Sequence, residues 1–329
     1  MPTITDLASE FRKAVDRQDA QALGRLAKAY SQLYQRMQLK LDSLLLAMSK
    51  LEAPTKGQMF RLAQYKNLMS SLEAELQTYS AFVKVEIQTN SQAAIELAVK
   101  QTDAFLKAAG LALPKSLPTN TIYSMLGFLQ ADSPLYKRLD LLTNFHTEKV
   151  ANALLEAVAF GYNPAKTAKM FESVMGGGLT DAMRTARTAQ LYASREASRA
   201  SYVANSDVVI GWEWVTALDS DVCMACAIEH GTIHELDESM SSHFNCRCTS
   251  IPVVKGYEYN DQKGVDWFAG LPEEQQEKMM GKQTFDVWKA GGFELTDMLG
   301  RRHDEVYGEM LETKPLWDLL GGEPPYKTK

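Results

Sequence analysis

Cys223-Met224-Ala225-Cys226 is followed, after 19 intervening residues, by His243-Phe244-Asn245-Cys246-Arg247-Cys248, and these two stretches hold every cysteine of a 329-residue chain. The pairs Cys223/Cys226 and His243/Cys246 share an i,i+3 spacing, which lets a turn aim two side chains at one point, as tetrahedral zinc requires. Two such turns brought together would clamp a small, loop-rich module. Lone cysteines usually pack as small apolar residues, but a cluster confined to 26 of 329 positions argues against packing alone.

The ligand set stays open at this level. If Cys246-Arg247-Cys248 begins a strand, Cys246 and Cys248 face opposite ways, leaving Cys223, Cys226, His243 and Cys246; a non-strand turn would admit Cys248 and an all-cysteine set. His230 and His234 rank lower, because a loop histidine is more often solvated. Disulfides compete with zinc, although Met1-Pro2-Thr3-Ile4-Thr5-Asp6 shows no charged-then-apolar leader to an oxidising compartment.

Composition bounds the rest. With 45% apolar and 23% charged residues the chain can build a sizeable core and two or more domains. No apolar run reaches the 18 or more residues that cross a bilayer, so no membrane partner is expected. A net charge of −6 excludes a surface coated in basic residues while leaving room for a local basic stripe.

Most of the chain reads as helix. Ile4 to about Lys50 is rich in Ala, Leu, Gln, Lys and Arg without proline, and Leu33, Met37, Leu41, Leu44 and Leu45 recur at helical spacing. Ala53-Pro54-Thr55-Lys56-Gly57 breaks it. A second run from Gln58 to Ala109 places Leu68, Leu72, Leu76, Tyr79 and Phe82 three and four apart, so the two predict an antiparallel hairpin. Helices follow over 120–130, 134–160 and 164–175, the last opened by Asn163-Pro164. Gly176-Gly177-Gly178 lacks the Lys-Ser/Thr of a phosphate-binding loop and reads as a hinge.

From Thr180 to Asn205, Ala186, Ala189, Ala193, Ala197, Ala200 and Ala204 share one helix face, and Arg184, Arg187, Arg195 and Arg199 the other. The alanine side should pack inward; the arginine side should meet solvent, or a phosphate or acidic partner, which the planar guanidinium suits. Val208 to Val215 reads as a tryptophan-bearing strand, Asp219-Ser220-Asp221 as a turn, and Thr249 to Val254 as an edge strand, since Pro252 has no N–H for a ladder. A last helical section runs from Val265 to Leu320, with Pro272-Glu273-Glu274 opening one helix and Gly291-Gly292 separating it from the next.

From about Arg184 to Tyr307 the chain resembles the phage head morphogenesis family, the minor head proteins similar to protein F of phage Mu. The resemblance rests on the order of Arg187-Thr188, Trp212 and Trp214, Cys223-x2-Cys226, Gly231 and His243-x2-Cys246-Arg247-Cys248, then Trp267, Leu271-Pro272, Gln275 or Gln276, Gly281 and Trp288. Ala189 and Phe244 depart from it: many members carry glutamate after the Arg-Thr pair and proline before the asparagine. The resemblance implies a minor capsid protein of the virion head, assembled in the host cytoplasm. It would sit at or near the portal vertex with portal, scaffold or major capsid protein as partners, assisting DNA packaging or ejection. Weak, non-specific contact with viral DNA is compatible with it, and a zinc-dependent nucleic-acid-binding protein is the alternative. No H-E-x-x-H, G-x-S-x-G or phosphate-binding loop occurs, so no catalytic residue is named and no enzyme is expected.

The expected fold is mainly α with a small α+β module. It comprises a helical hairpin (1–118), a helical connector (119–178), a Cys/His-clamped, β-containing minor head domain (179–320) and a polar tail (321–329).

Overall fold

The computed structural model describes residues 4–51, 54–130, 132–256 and 262–322. Ala53 of the helix break, and the tail from 323 onward with Pro324-Pro325, lie outside the described residues. The protein is mainly α with a small α+β module toward its C-terminus. The chain forms two compact units, each assembled from separated segments: Arg17–Ser91 with Gly127–Gln190, and Met1–Asp16 with Gln92–Leu126 and Leu191–Lys329.

The first of these units is helical. Proline-free, helix-favouring sequence carries α1 (Ile4–Met48). α2 (Lys56–Arg61) starts on a capping box in which the Thr55 hydroxyl accepts the Gln58 N–H and the Gln58 side chain accepts the Thr55 N–H. Leu62 is extended and separates α2 from α3 (Ala63–Ala108), so the expected second run is two helices. Buried residues fall at 22, 26, 30, 33, 37, 41 and 44 on α1 and at 65, 68, 72, 76, 79, 83 and 87 on α3. Both follow an 11-residue period, near the helix's own repeat, so the pair needs no left-handed supercoil. The pairs Arg25–Glu86, Arg36–Glu75 and Lys40–Asn67 fix an antiparallel register. Each buried leucine contributes roughly 1.5–3 kcal/mol and each exposed ion pair about 0–1 kcal/mol, so packing supplies the stability and the pairs select the alignment.

α4 (Thr119–Met125) and a 3-10 turn at Gly127–Leu129 replace the single helix expected over 120–130, and α5 (Pro134–Ala159) follows. The expected hinge at Gly176–Gly178 is absent: α6 runs unbroken from Pro164 to Ala204. Packing accounts for Gly178. A Cβ there would come 2.8 Å from the Tyr30 hydroxyl and 3.4 Å from the His146 ring, and that hydroxyl donates to the Met175 carbonyl at 2.6 Å. The helix keeps a glycine at 178 because α1 and α5 approach it closely. His146 is 3% exposed, and the Asp181 carboxylate lies 3.5 Å from its Nε2.

The second unit joins the start of α1 to the end of α3, where Phe11 and Phe105 stack 4.9 Å apart. Its three-stranded sheet has the order β2-β1-β3, with β1 (Val209–Val215) central between β2 (Ile233–His234) and β3 (Thr249–Val254), all antiparallel. Pro252 does lie on an edge strand. Tyr202, Trp212 and Trp214 form the core of this unit with Cys226, Cys246, Cys248 and Leu311. α7 (Met224–Glu229) connects β1 to β2. α8 (Gly264–Ala269), α9 (Glu273–Met280) and α10 (Lys282–Lys289) follow, the last two divided at Gly281, with Glu273 and Glu274 in the first turn of α9.

The expected helical run to Leu320 is then replaced by a hairpin of β4 (Leu299–Asp304) and β5 (Gly308–Thr313), closed by α11 (Leu316–Leu319). Asp304 Oδ1 accepts the N–H groups of Val306 and Tyr307, an Asx turn that reverses the chain. Gly291-Gly292 therefore leads into a 3-10 turn and this hairpin, not another long helix.

A Cβ at Gly264 would collide with the Ala227 carbonyl, so Gly264→Ala should cost on the order of 1–3 kcal/mol or more in chemical denaturation. Gly127→Ala, with open space around it, should cost far less. Burial holds the His146 pKa down against the opposing pull of Asp181. A depressed histidine favours the fold above its unfolded value of about 6.5, and that contribution is lost as pH falls. Stability should therefore drop as pH falls below about 6.5, with a shallower drop in His146→Gln.

Candidate metal centre

Local sequence builds each half of the cluster. Cys223 is the N-cap of α7, its Sγ accepting the Cys226 N–H at 3.4 Å, and Cys226 lies one turn on. The second half is a tight turn in which the Cys246 N–H bonds the His243 carbonyl at 3.3 Å, with Asn245 left-handed at φ 59°. Asparagine tolerates that conformation, so the bend throws His243 and Cys246 to one side. Cys246-Arg247-Cys248 precedes β3 and is not strand; the opposite-faces argument against Cys248 lapses, and its sulfur sits in the cluster.

The two halves meet. His243 Nε2 lies 3.2 Å from Cys223 Sγ and 3.1 Å from Cys226 Sγ, and Cys226 Sγ lies 3.6 Å from Cys246 Sγ. The donors form two triads sharing Cys226: Cys223, Cys226 and His243, then Cys226, Cys246 and Cys248. In a zinc tetrahedron, bonds of about 2.3 Å to sulfur and 2.0–2.1 Å to nitrogen put neighbouring donors roughly 3.5–3.8 Å apart. The spacings to His243 fall just short of that range and the Cys226–Cys246 spacing lies within it; all four cysteines are free thiols. His243 Nδ1 faces the Phe244 carbonyl at 2.7 Å; donation there leaves Nε2 as the electron-pair donor, the usual arrangement of a metal-bound histidine. The donor set fits a metal ion.

Crowding sorts the protons. The Cys223 thiol is pulled down to about 5, by its hydrogen bond with Cys226 first and by His243. Cys226 is pushed up by hydrogen bonds with Cys223, Cys246 and Cys248, and burial pushes Cys248 up. Burial would raise Cys246, but hydrogen bonds from Cys226 and Cys248 and the Arg195 charge hold it down. Burial would lower His243, but hydrogen bonds to Cys223 and Cys246 carry it to about 10. A thiolate beside an imidazolium is also the pair of a cysteine nucleophile. Here three further sulfurs crowd the same spot, which suits ligation.

The other expected candidates lie elsewhere. His230 Nδ1 accepts the Thr216 N–H, and His234 stacks on Trp212 at 4.2 Å with Glu238 3.0 Å from its Nδ1; neither joins the sulfur cluster. Asp219 turns the chain as expected, and its carboxylate also binds Arg247 at 2.9 Å, tying the approach to Cys223 to the second turn.

The arginine stripe is not the open face expected of it. Arg184 is half exposed beside Asp181, Arg187 pairs with the buried Asp19 at 3.0 Å, and Arg199 pairs with Glu196. Arg195 is 5% exposed, and its guanidinium donates to the carbonyls of Cys246 and Cys248 and to the Ser242 hydroxyl. The helical wheel missed this because it averages over the helix and carries no record of the loop that folds onto one turn. The alanines pack inward at 186, 189, 193 and 197.

Residues 148–251 match the family described as Phage Mu protein F like protein. The match agrees with the resemblance read from the cysteine pattern, and that family is one of phage head morphogenesis. It takes in the whole of α6, β1 and the cysteine cluster, beginning earlier than Arg184 and ending before Trp267. No curated protein and no solved structure matches the chain.

Because Cys226 belongs to both triads, Cys226→Ser should lose bound metal, whereas Cys248→Ser, which leaves the histidine triad intact, should keep most of it. Elemental analysis of zinc per chain in the purified variants decides this; a full equivalent in Cys226→Ser contradicts it.

Proposed function

We propose that this chain is a minor head protein acting in phage head morphogenesis, with a zinc ion held by Cys/His ligands as a structural cross-link. The observation that carries the reading is the family match over 148–251, which contains both the Cys-x2-Cys turn and the His-x2-Cys-Arg-Cys turn. The ligands are drawn from Cys223, Cys226, His243, Cys246 and Cys248. Enclosure of three of these sulfurs, on residues 2–4% exposed, favours a closed structural site over one open to substrate. The ion would replace protons on crowded thiols, so binding releases protons and weakens in acid. A structural family of head morphogenesis also fits a chain that is not an enzyme.

In this reading the protein docks on portal, scaffold or major capsid protein near the portal vertex through its long helices, and it passes from host cytoplasm into the virion head. Among the described residues no helix is long and apolar enough to cross a membrane. Direct DNA recognition by the arginine stripe is the weaker idea, since Arg195 and Arg187 are engaged within the protein.

Co-expression with the portal protein of the same phage, followed by affinity capture and size-exclusion chromatography, tests the assignment. The expected result is co-elution with the portal oligomer. A chain that stays monomeric beside portal, scaffold and major capsid protein alike would overturn the docking reading.

A further inference from the structure

We infer that Arg195 is the outer partner of the metal centre, setting the geometry of its second turn and supplying a buried counter-charge to its thiolates. This role rests on the metal reading and goes beyond it in naming a positioning residue outside the ligand set.

Geometry places Arg195 behind the ligands. Its Nε donates to the Cys248 carbonyl at 3.1 Å, Nη2 to the carbonyls of Cys246 and Cys248 at 2.9 Å each, and Nη1 to the Ser242 hydroxyl. One planar fork therefore grips the backbone on both sides of Arg247 and the residue before His243. Two tyrosines on α6 extend the grip: Tyr192 donates to the Ser242 carbonyl at 2.8 Å and Tyr202 to the Ser250 carbonyl at 3.0 Å. The loop from 242 to 250 is thus laid against α6 with these backbone acceptors occupied, which leaves its thiols and imidazole turned toward Cys223 and Cys226. Groups that hold metal ligands in place commonly change affinity by about 10–100-fold when removed.

Charge gives Arg195 a second link to the site. A buried guanidinium is costly without an anion to answer it, and the hydrogen bonds it makes here go to neutral carbonyls and a hydroxyl. A zinc ion with three thiolates and one imidazole carries one net negative charge, which Arg195 balances.

The test uses the full-length protein, with zinc affinity measured by chelator competition and ligand geometry by the absorption spectrum after cobalt substitution. Arg195→Gln should weaken zinc at least about 10-fold and alter the cobalt bands, and Arg195→Lys, which keeps the charge but loses the fork, should fall between it and the wild type. Arg184→Gln, which removes a half-exposed arginine of the same helix from its pair with Asp181, should leave affinity within about 3-fold. If Arg195→Gln does not fold, Arg195→Lys carries the comparison. Wild-type affinity and an unchanged cobalt spectrum in the arginine variants would overturn the role of Arg195 while leaving the metal reading intact; a wild-type protein that takes up no zinc would sink both.

Discussion

The contact of the His243 imidazole with the Cys223 and Cys226 sulfurs, and of Cys226 with Cys246, organises the C-terminal module. A sheet of three strands, one only two residues long, and a separate two-stranded hairpin bury little apolar surface by themselves. Short β elements of this kind need a cross-link or a helix to pack on. In this module the sulfur cluster brings α7 to the turn before β3, and α6 lies against that turn through Tyr192, Arg195 and Tyr202. The three buried cysteines belong to the same core as Trp212 and Trp214, so the candidate ligands are also core residues.

The helical unit follows a different logic. Its stability comes from leucine, tyrosine and methionine positions repeating every 11 residues along α1 and α3, and it needs no special chemistry to form. Polar detail enters where helices approach closely. The Gly178 contact brings Tyr30 and His146 against α6, and the Arg187–Asp19 pair places a charge bond beneath the surface. A family match that starts within α5 and ends within β3 spans segments of both units, so the matched stretch is a stretch of chain and not one compact body.

Much of this was legible in the sequence because the signals were periodic or chemically rare. Helix spacing marked α1 and α3, the Asn163-Pro164 start marked α6, the tryptophan strand marked β1, and clustered thiols marked the site. The departures share a cause: local pattern carries no record of what packs on it. Gly176–Gly178 reads locally as a hinge, and the Tyr30 and His146 side chains, distant in sequence, show why the helix keeps its glycine at 178. The hairpin from Leu299 to Thr313 was hidden by the charged run Arg301-Arg302-His303-Asp304, whose side chains are mostly exposed and give no apolar alternation.

Sequence alone determined which atoms were available: four thiols at fixed intervals, an imidazole three residues before one of them, and an asparagine able to bend the chain between the two. Tertiary structure decided how they were used. It removed the strand that would have turned Cys248 away, left His230 and His234 outside the cluster, and drew Arg195 from an apparent surface stripe into the backbone of the second turn. Spacing along a chain constrains local turns, but the meeting of Arg195 with Cys246 and Cys248, roughly 50 positions on, is set by what else must be buried around them. That is a property of the folded whole.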